Sequence, residues 1–256
     1  MSGARKYDQQ KGRLARRAFL GRAGIATAVL ALTPGLRLIE LARARPANEP
    51  ASSAQRWGLV FDTDKCASDC DVCVRACNEE HGLRARNGPA TDAQWIRKVT
   101  LRDRQSGAIT TLPVLCQHCK YPPCVDVCPT GASFRRADGI VLVDQHICIG
   151  CRYCMMACPY KARSFVHEVQ DNQKSYAPRG KGVVESCTLC VNRIDEGKGR
   201  IPACAEACNA LGPRAILFGD LNDPDSDISK ELAKNPGVEL RADLKLDLGI
   251  RYRGID

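Results

Sequence analysis

The chain has 256 residues, enough for one large or two small domains, yet aromatics make up only 5% of it, lean for a conventional core. Its formal charge of +9 invites a nucleic-acid partner, but residues 1–44 hold nine Lys/Arg against two acidic residues. The remainder carries 29 basic and 27 acidic groups, so no basic patch is left to support nucleic-acid binding.

Residues 1–44 read as a targeting segment. A basic stretch ends in Arg16-Arg17-Ala18-Phe19-Leu20, and an apolar run follows from Ala23 to Leu32. Pro34 and Arg37 cut that run too short to span a bilayer comfortably. Ala42-Arg43-Ala44 supplies a small-x-small cleavage site. The pair Arg16-Arg17 followed by x-Phe-Leu is similar to a Tat signal, with Ala15 and Gly21 where Ser/Thr and Lys are usual. The competing reading is a basic amphipathic helix that stays on the protein.

Residues 45–56 are rich in Pro, Ala and Ser and read as a linker. After Trp57, Gly58-Leu59-Val60-Phe61-Asp62 predicts a short strand that delivers the chain to Cys66. Apolar alternations over residues 95–101 and 109–115 flank a turn at Ser106-Gly107 and predict a hairpin. A second hairpin is expected around Asp138-Gly139, leading into residues 140–144. Residues 170–182 are polar, with Pro178, Gly180 and Gly182, and read as a surface loop. Residues 215–218 predict a strand, and residues 222–226 the cap of a short helix to about Lys234. The closing stretch 249–253 has no partner identifiable in sequence, so a frayed terminus is the default.

Sixteen cysteines fall among these elements in four groups of four, with none left over: Cys66/Cys70/Cys73/Cys77, Cys116/Cys119/Cys124/Cys128, Cys148/Cys151/Cys154/Cys158 and Cys187/Cys190/Cys204/Cys208. A cubane iron–sulfur cluster takes four thiolates, so the count suggests four [4Fe–4S] clusters. The third group, CIGCRYCMMACP, has the spacing C-x2-C-x2-C-x3-C-P of bacterial ferredoxins, in which the fourth thiolate serves a different cluster from the first three. The second group is spaced C-x2-C-x4-C-x3-C-P, and in the fourth CTLC is followed after thirteen residues by CAEAC. Disulfide partners have no reason to recur as CxxC and CxxxC. Zinc, which takes all-thiolate sites, has no use for a trailing Cys-Pro. Haem c fails because no CxxC is followed by His. Clusters would also replace some of the missing aromatic packing. Export of a folded chain by Tat suits a protein that must acquire clusters in a reducing cytoplasm.

Together with the N-terminal segment, these groups resemble the four-cluster ferredoxin subunits of membrane redox complexes, among them the iron–sulfur subunits of dimethyl-sulfoxide, polysulfide and nitrite reductases. The resemblance covers essentially residues 57–222. It implies an α+β, duplicated bacterial ferredoxin-like fold, with short hairpins and short helices around four clusters. One half would come from residues 57–95 plus 183–222 and the other from 96–182, with 223–256 as a C-terminal extension. The family pairs the first group with the fourth and the second with the third. Carried over, Cys66, Cys70, Cys73 and Cys208 hold cluster 1, and Cys187, Cys190, Cys204 and Cys77 hold cluster 2. Cys116, Cys119, Cys124 and Cys158 hold cluster 3, and Cys148, Cys151, Cys154 and Cys128 hold cluster 4. Two departures lie in the first/fourth half: Cys66 and Cys70 have one residue more between them than the family's CxxC, and Asn209 follows Cys208 where Pro is usual. An atypical or labile cluster is expected in that half.

Trp57-Gly58-x-Val60-x-Asp62, Cys77-Asn78-Glu79-Glu80-His81-Gly82, Phe218-Gly219-Asp220-Leu221 and Arg251-Tyr252-Arg253-Gly254-Ile255 resemble the DsrO branch, the periplasmic iron–sulfur subunits of Dsr complexes in sulfur-metabolising bacteria. That implies a periplasmic subunit held at the membrane by an NrfD-like quinone-reactive partner. A periplasmic multihaem cytochrome c and a membrane haem b/cytoplasmic iron–sulfur pair would complete the complex. The electron-transfer subunit of a molybdopterin reductase or hydrogenase is the alternative within the class; a disulfide- or zinc-stabilised secreted binding protein is the alternative outside it. No nucleophile, acid/base pair, phosphate loop or nicotinamide fingerprint marks a substrate site, so an electron carrier rather than a complete enzyme is expected. Among single residues, His118 reads equally as a donor to a cluster sulfur or a solvated loop residue. Pro122, Pro123, Pro129 and Pro159 read as shaping the loops. Lys120, Arg152, Lys161 and Arg163 read first as solvated charges and second as groups that raise cluster potentials.

Overall fold

The computed structural model describes residues 50–88, 90–171, 173–196 and 201–255. The Tat-like segment with Arg16 and Arg17, and the linker up to residue 49, lie outside the described residues. In chain order the elements are β1 (Trp57–Asp62), α1 (Val72–His81), β2 (Arg97–Arg102), β3 (Ile109–Val114), α2 (Pro123–Asp126), β4 (Ser133–Arg135), β5 (Val141–Val143), α3 (Tyr153–Ala157), β6 (Ser164–Phe165), β7 (Val184–Glu185), α4 (Val191–Glu196), α5 (Ala203–Leu211), β8 (Ile216–Asp220), α6 (Asp227–Lys234) and β9 (Ile250–Arg253). The class is α+β. No helix among the described residues is long and apolar enough to cross a membrane.

The strand expected before Cys66 is the centre of a three-stranded sheet ordered β8-β1-β9. Its residues are almost all buried, as an apolar run without polar alternation requires. β8 pairs antiparallel, with Trp57 opposite Asp220 and Phe61 opposite Ile216. β9 pairs parallel, with Leu59 opposite Ile250 and Asp62 opposite Arg253. The frayed terminus expected for this stretch is therefore corrected. Ile250 and Tyr252 are fully buried, Phe61 stacks on Tyr252 at 5.5 Å, and Thr63 Oγ1 donates to the Arg253 carbonyl at 2.6 Å. Burial of these two side chains and the ladder to β1 outweigh the entropy of a free end.

Both expected hairpins form. β2 and β3 pair antiparallel from Arg97/Val114 to Arg102/Ile109, and β4 pairs with β5 around a turn in which Gly139 has φ 90°. The helix expected to end near Lys234 is α6, capped by Ser226, whose Oγ accepts from the Ser229 amide at 3.2 Å. The polar stretch 170–182 is mostly irregular, but it is not all surface. Arg179 is buried, and its guanidinium holds the Glu185 carboxylate at 2.6 and 2.9 Å and the Gly82 carbonyl at 3.0 Å. Arg56, at the end of the expected linker, is likewise anchored, donating to the Asp247 side chain at 2.8 Å.

Helix length follows the residue after the last cysteine of each helix. α2 and α3 stop before Cys128-Pro129 and Cys158-Pro159, because proline disfavours helical backbone at the preceding residue and has no N–H to continue the ladder. Cys208 is followed by Asn209, and α5 runs on to Leu211. α1 likewise carries Cys73 and Cys77 in its body and ends at Gly82, left-handed at φ 64°, whose amide bonds back to Asn78 and Glu79.

Candidate metal centre

Helix packing brings the cysteine groups together. α1, from the first group, packs on α5, from the fourth, and α2, from the second, packs on α3, from the third. Two of the resulting cavities are lined by cysteine quartets. One is lined by Cys66, Cys70, Cys73 and Cys208, together with Phe61, Pro113 and Ile216. The other is lined by Cys116, Cys119, Cys124 and Cys158, together with Pro122, Pro159 and Arg163. Cys66 thus joins its neighbours despite the extra spacer residue.

Four of the five CxxC turns share a local device, a residue with positive φ inside or at the end of each: His118 at 44°, Gly150 at 69°, Arg152 at 65°, and Leu189 and Cys190 at 55° and 51°. Between Cys70 and Cys73 the chain instead enters α1 directly. Left-handed backbone curls the loop tightly enough for its thiols to face one side. Only glycine fits at position 150, where a Cβ would lie 2.1 Å from the Gly182 carbonyl oxygen.

Burial and mutual repulsion work against charged thiols here. Burial, then the charge of Cys66, pushes the Cys73 thiol up to about 11. Burial, followed by Cys187, Cys204 and Cys190, raises Cys77 well above the ordinary range. Burial alone dominates at Cys116, pushed up to about 12. At Cys154 burial raises the thiol, and Cys148 and Cys128 add to it while Arg163 opposes. These causes also show which thiols are neighbours: Cys77 with Cys187, Cys190 and Cys204, and Cys154 with Cys148 and Cys128. Against this, backbone amides donate to sulfur: Ser133 to Cys128 and Ala215 to Cys208 at 3.3 Å, Leu189 to Cys187 and Ala203 to Cys190 at 3.4 Å, and Ala162 to Cys158 and Val184 to Cys148 at 3.5 Å. Such donors favour thiolate over thiol. At Cys128, though burial raises it, the bonds from Ser133 and Thr130 leave the thiol below its ordinary value.

Buried thiols in fours, with sulfur-directed N–H donors, fit a cationic core bound by four thiolates. All sixteen cysteines lie among the described residues and are free of disulfides. Among the described residues no three His, Cys, Asp or Glu side chains converge on one ion position.

Other side chains reach the sulfurs. Arg163 is buried, and its Nη2 donates to Cys124 Sγ at 3.1 Å, so the solvated charge expected there is corrected. Lys120 pairs with Asp247 at 3.4 Å, Arg152 lies 3.7 Å over the Phe165 ring, and Lys161 reaches the Met156 carbonyl; these three do not touch sulfur. His118 is neither solvated nor bonded to a thiol. It is buried, its Nδ1 accepts from the Val141 amide at 3.0 Å, and burial lowers its pKa to about 3. The ring is therefore neutral with its proton on Nε2, a buried donor with no partner among the described residues. Two contacts escaped sequence reasoning. His81 Nε2 lies 3.3 Å from Cys190 Sγ, and its ring, tilted against Trp95 at 4.4 Å, is kept neutral by burial and then by Arg179 and Arg193, with a pKa of about 4. The i,i+4 spacing from Cys77 to His81 was a usable signal. Lys98 Nζ donates to Cys66 Sγ at 3.2 Å, and nothing local announces it.

The groups also follow one another. Cys73 lies within electrostatic reach of Cys204, Cys116 of Cys187, and Cys154 of Cys124.

Comparison with known proteins agrees with this chemistry. The 4Fe-4S dicluster domain family matches residues 108–220. The chain is 40% identical to the Hdr-like menaquinol oxidoreductase iron-sulfur subunit 1 of Archaeoglobus fulgidus, over 93% of this chain and 97% of that one. It is 37% identical to a tetrathionate reductase subunit of Salmonella typhimurium, over 85% and 78% of the two chains. With protein NrfC of Escherichia coli K12 it shares 36% identity over 71% and 73%. The chain accordingly carries multiple [4Fe–4S] clusters.

Proposed function

Because the chain belongs to the family of ferredoxin-like [4Fe–4S] electron-transfer subunits of larger oxidoreductase complexes, we propose that it is the periplasmic iron–sulfur subunit of a quinone-linked membrane complex in dissimilatory sulfur metabolism. In this reading Cys66, Cys70, Cys73 and Cys208 hold cluster 1, and Cys187, Cys190, Cys204 and Cys77 hold cluster 2. Cys116, Cys119, Cys124 and Cys158 hold cluster 3, and Cys148, Cys151, Cys154 and Cys128 hold cluster 4. The clusters supply one-electron redox chemistry. The protein supplies the thiolates, the amides and side chains that set potentials, and the spacing. The convergence of Cys66, Cys70, Cys73 and Cys208 on one cavity and of Cys116, Cys119, Cys124 and Cys158 on another carries the proposal, since each brings three thiols of one group to the last thiol of another.

The matched packing of α1 on α5 and of α2 on α3 supports a duplicated fold, with halves at 57–95 plus 183–222 and at 96–182. The relatives named for menaquinol oxidation and for tetrathionate reduction support the quinone link and the sulfur chemistry. The partners are an NrfD-like membrane subunit, through which the chain is held at the membrane, and a periplasmic multihaem cytochrome c. The Tat-like segment around Arg16 and Arg17 supports export in the folded state. The tetrathionate reductase relative favours a second reading, the electron-transfer subunit of a periplasmic molybdopterin reductase. A large molybdenum subunit encoded beside this chain would select that reading.

The test is an anaerobic iron and sulfide assay with EPR. A brown preparation with about 16 iron and 16 sulfide per chain is expected. Within it, a cluster in the first/fourth half should differ from the rest in signal or lability. A colourless, iron-free preparation would sink the reading.

A further inference from the structure

Arg163 follows Pro159 by four residues, on the stretch from α3 to β6, and is 5% exposed. Among the described residues it has no carboxylate partner. Its Nη2 donates to Cys124 Sγ at 3.1 Å, while its Nε and Nη1, also buried, have no acceptor among the described residues. It lines the cavity ringed by Cys116, Cys119, Cys124 and Cys158. Cys154, assigned to the adjoining quartet, lies within its hydrogen-bonding and electrostatic reach. A buried guanidinium without a counter-ion is a strongly unfavourable arrangement unless something anionic occupies the space it faces. Lys98, which also touches a sulfur, is the comparison: it donates to Cys66 Sγ and to the Ala67 carbonyl and is part-exposed, so solvent screens it.

We propose that Arg163 is the shared counter-charge of two adjacent clusters, those of the Cys116 and Cys148 quartets, and that it holds both at higher potential than the protein would otherwise set. This rests on the ligand assignment above. Uptake of one electron adds one negative charge to a cluster, and a fixed positive charge in a low-dielectric site favours that state. The two unpartnered N–H donors find their acceptors among the sulfurs that fill the cavity. Because the guanidinium does not deprotonate, its effect persists at every working pH.

The test is a potentiometric titration with dithionite as reductant, followed by EPR and visible absorbance, on the intact chain and on R163Q and R163K. Iron and sulfide are assayed in each. Wild type with four clusters upholds the assignment; wild type without iron overturns it, and the proposal with it. In iron-replete R163Q two of the four one-electron steps should move to lower potential, each by at least tenfold in the reduced-to-oxidised ratio, about 59 mV for a one-electron couple. The other two should stay, and R163K should keep all four near wild type. The proposal is overturned if no step moves, if only one moves, or if all four move together. It is equally overturned if iron-replete R163K shifts as far as R163Q. Should R163Q fail to retain iron, R163K decides: retention there supports a role for charge, and loss in both points to shape alone and overturns the proposal.

Discussion

Asp247 shows how a single surface-edge residue secures a cysteine loop. Burial works to raise its carboxyl, but hydrogen bonds and charge from Arg56 and then Lys120 hold it below the ordinary carboxylate range. Arg56 bonds it at 2.8 Å and Lys120, one residue past Cys119, at 3.4 Å. A carboxyl with a depressed folded pKa contributes stability in full above its unfolded value, about 3.9, and loses it as pH falls through the folded value. Asp247→Asn should therefore cost about 1 kcal/mol at pH 7. The gap from wild type should close as pH drops below about 4. Anaerobic urea midpoints at several pH values check this, and a gap independent of pH would contradict it. At this scale the sequence marked all sixteen candidate ligands, because thiolate chemistry is written in residue type and spacing. Arg163 and Lys98 were not separable from solvated charges, because burial and proximity to sulfur arise only on folding.

Proline placement sets the helices. Pro129 and Pro159 sit where the chain has already left α2 and α3, so they cost nothing there. At position 209 the chain is still inside α5, which continues to Leu211, and Gly212 and Arg214 amides close back on the Cys208 carbonyl at 3.1 Å. Asn209→Pro, which would restore the family pattern, should instead remove a helical hydrogen bond and destabilise the protein by about 3 kcal/mol. A lower anaerobic urea midpoint with unchanged slope is the expected result; an unchanged midpoint would show that α5 tolerates an earlier stop. The two longer hairpins and the Ser226-capped helix were legible because alternation, turn residues and a cap are local signals. β6 and β7, two residues each, are too short to leave a period in the sequence.

At the level of the whole molecule, the tail closes the fold. Tyr252 Oη donates to the Pro113 carbonyl at 2.9 Å and accepts from Gln117 Nε2 at 3.2 Å, tying β9 to β3 and to the second cysteine loop. The Gly249 amide bonds the Gln117 carbonyl, and the Lys120 amide bonds those of Leu246 and Asp247. Tyr252→Phe removes two buried hydrogen bonds and should cost about 1–3 kcal/mol. The measurement is the anaerobic denaturation midpoint read through cluster absorbance, and a wild-type midpoint would mean that the tail is not an anchor.

The sequence by itself determined the cofactor class, because the four thiols of a group lie close enough along the chain for their spacing to be read. It also located the chain's excess positive charge in residues 1–44, outside the described fold. Spacing left open how the groups meet, and a family resemblance, not local pattern, supplied an expectation. Only the tertiary structure decided that α1 meets α5 and α2 meets α3, that Arg163 is buried beside two quartets, and that residues 250–253 complete the central sheet. These are contacts between residues distant in sequence, or outcomes of burial, and neither is written in a local pattern.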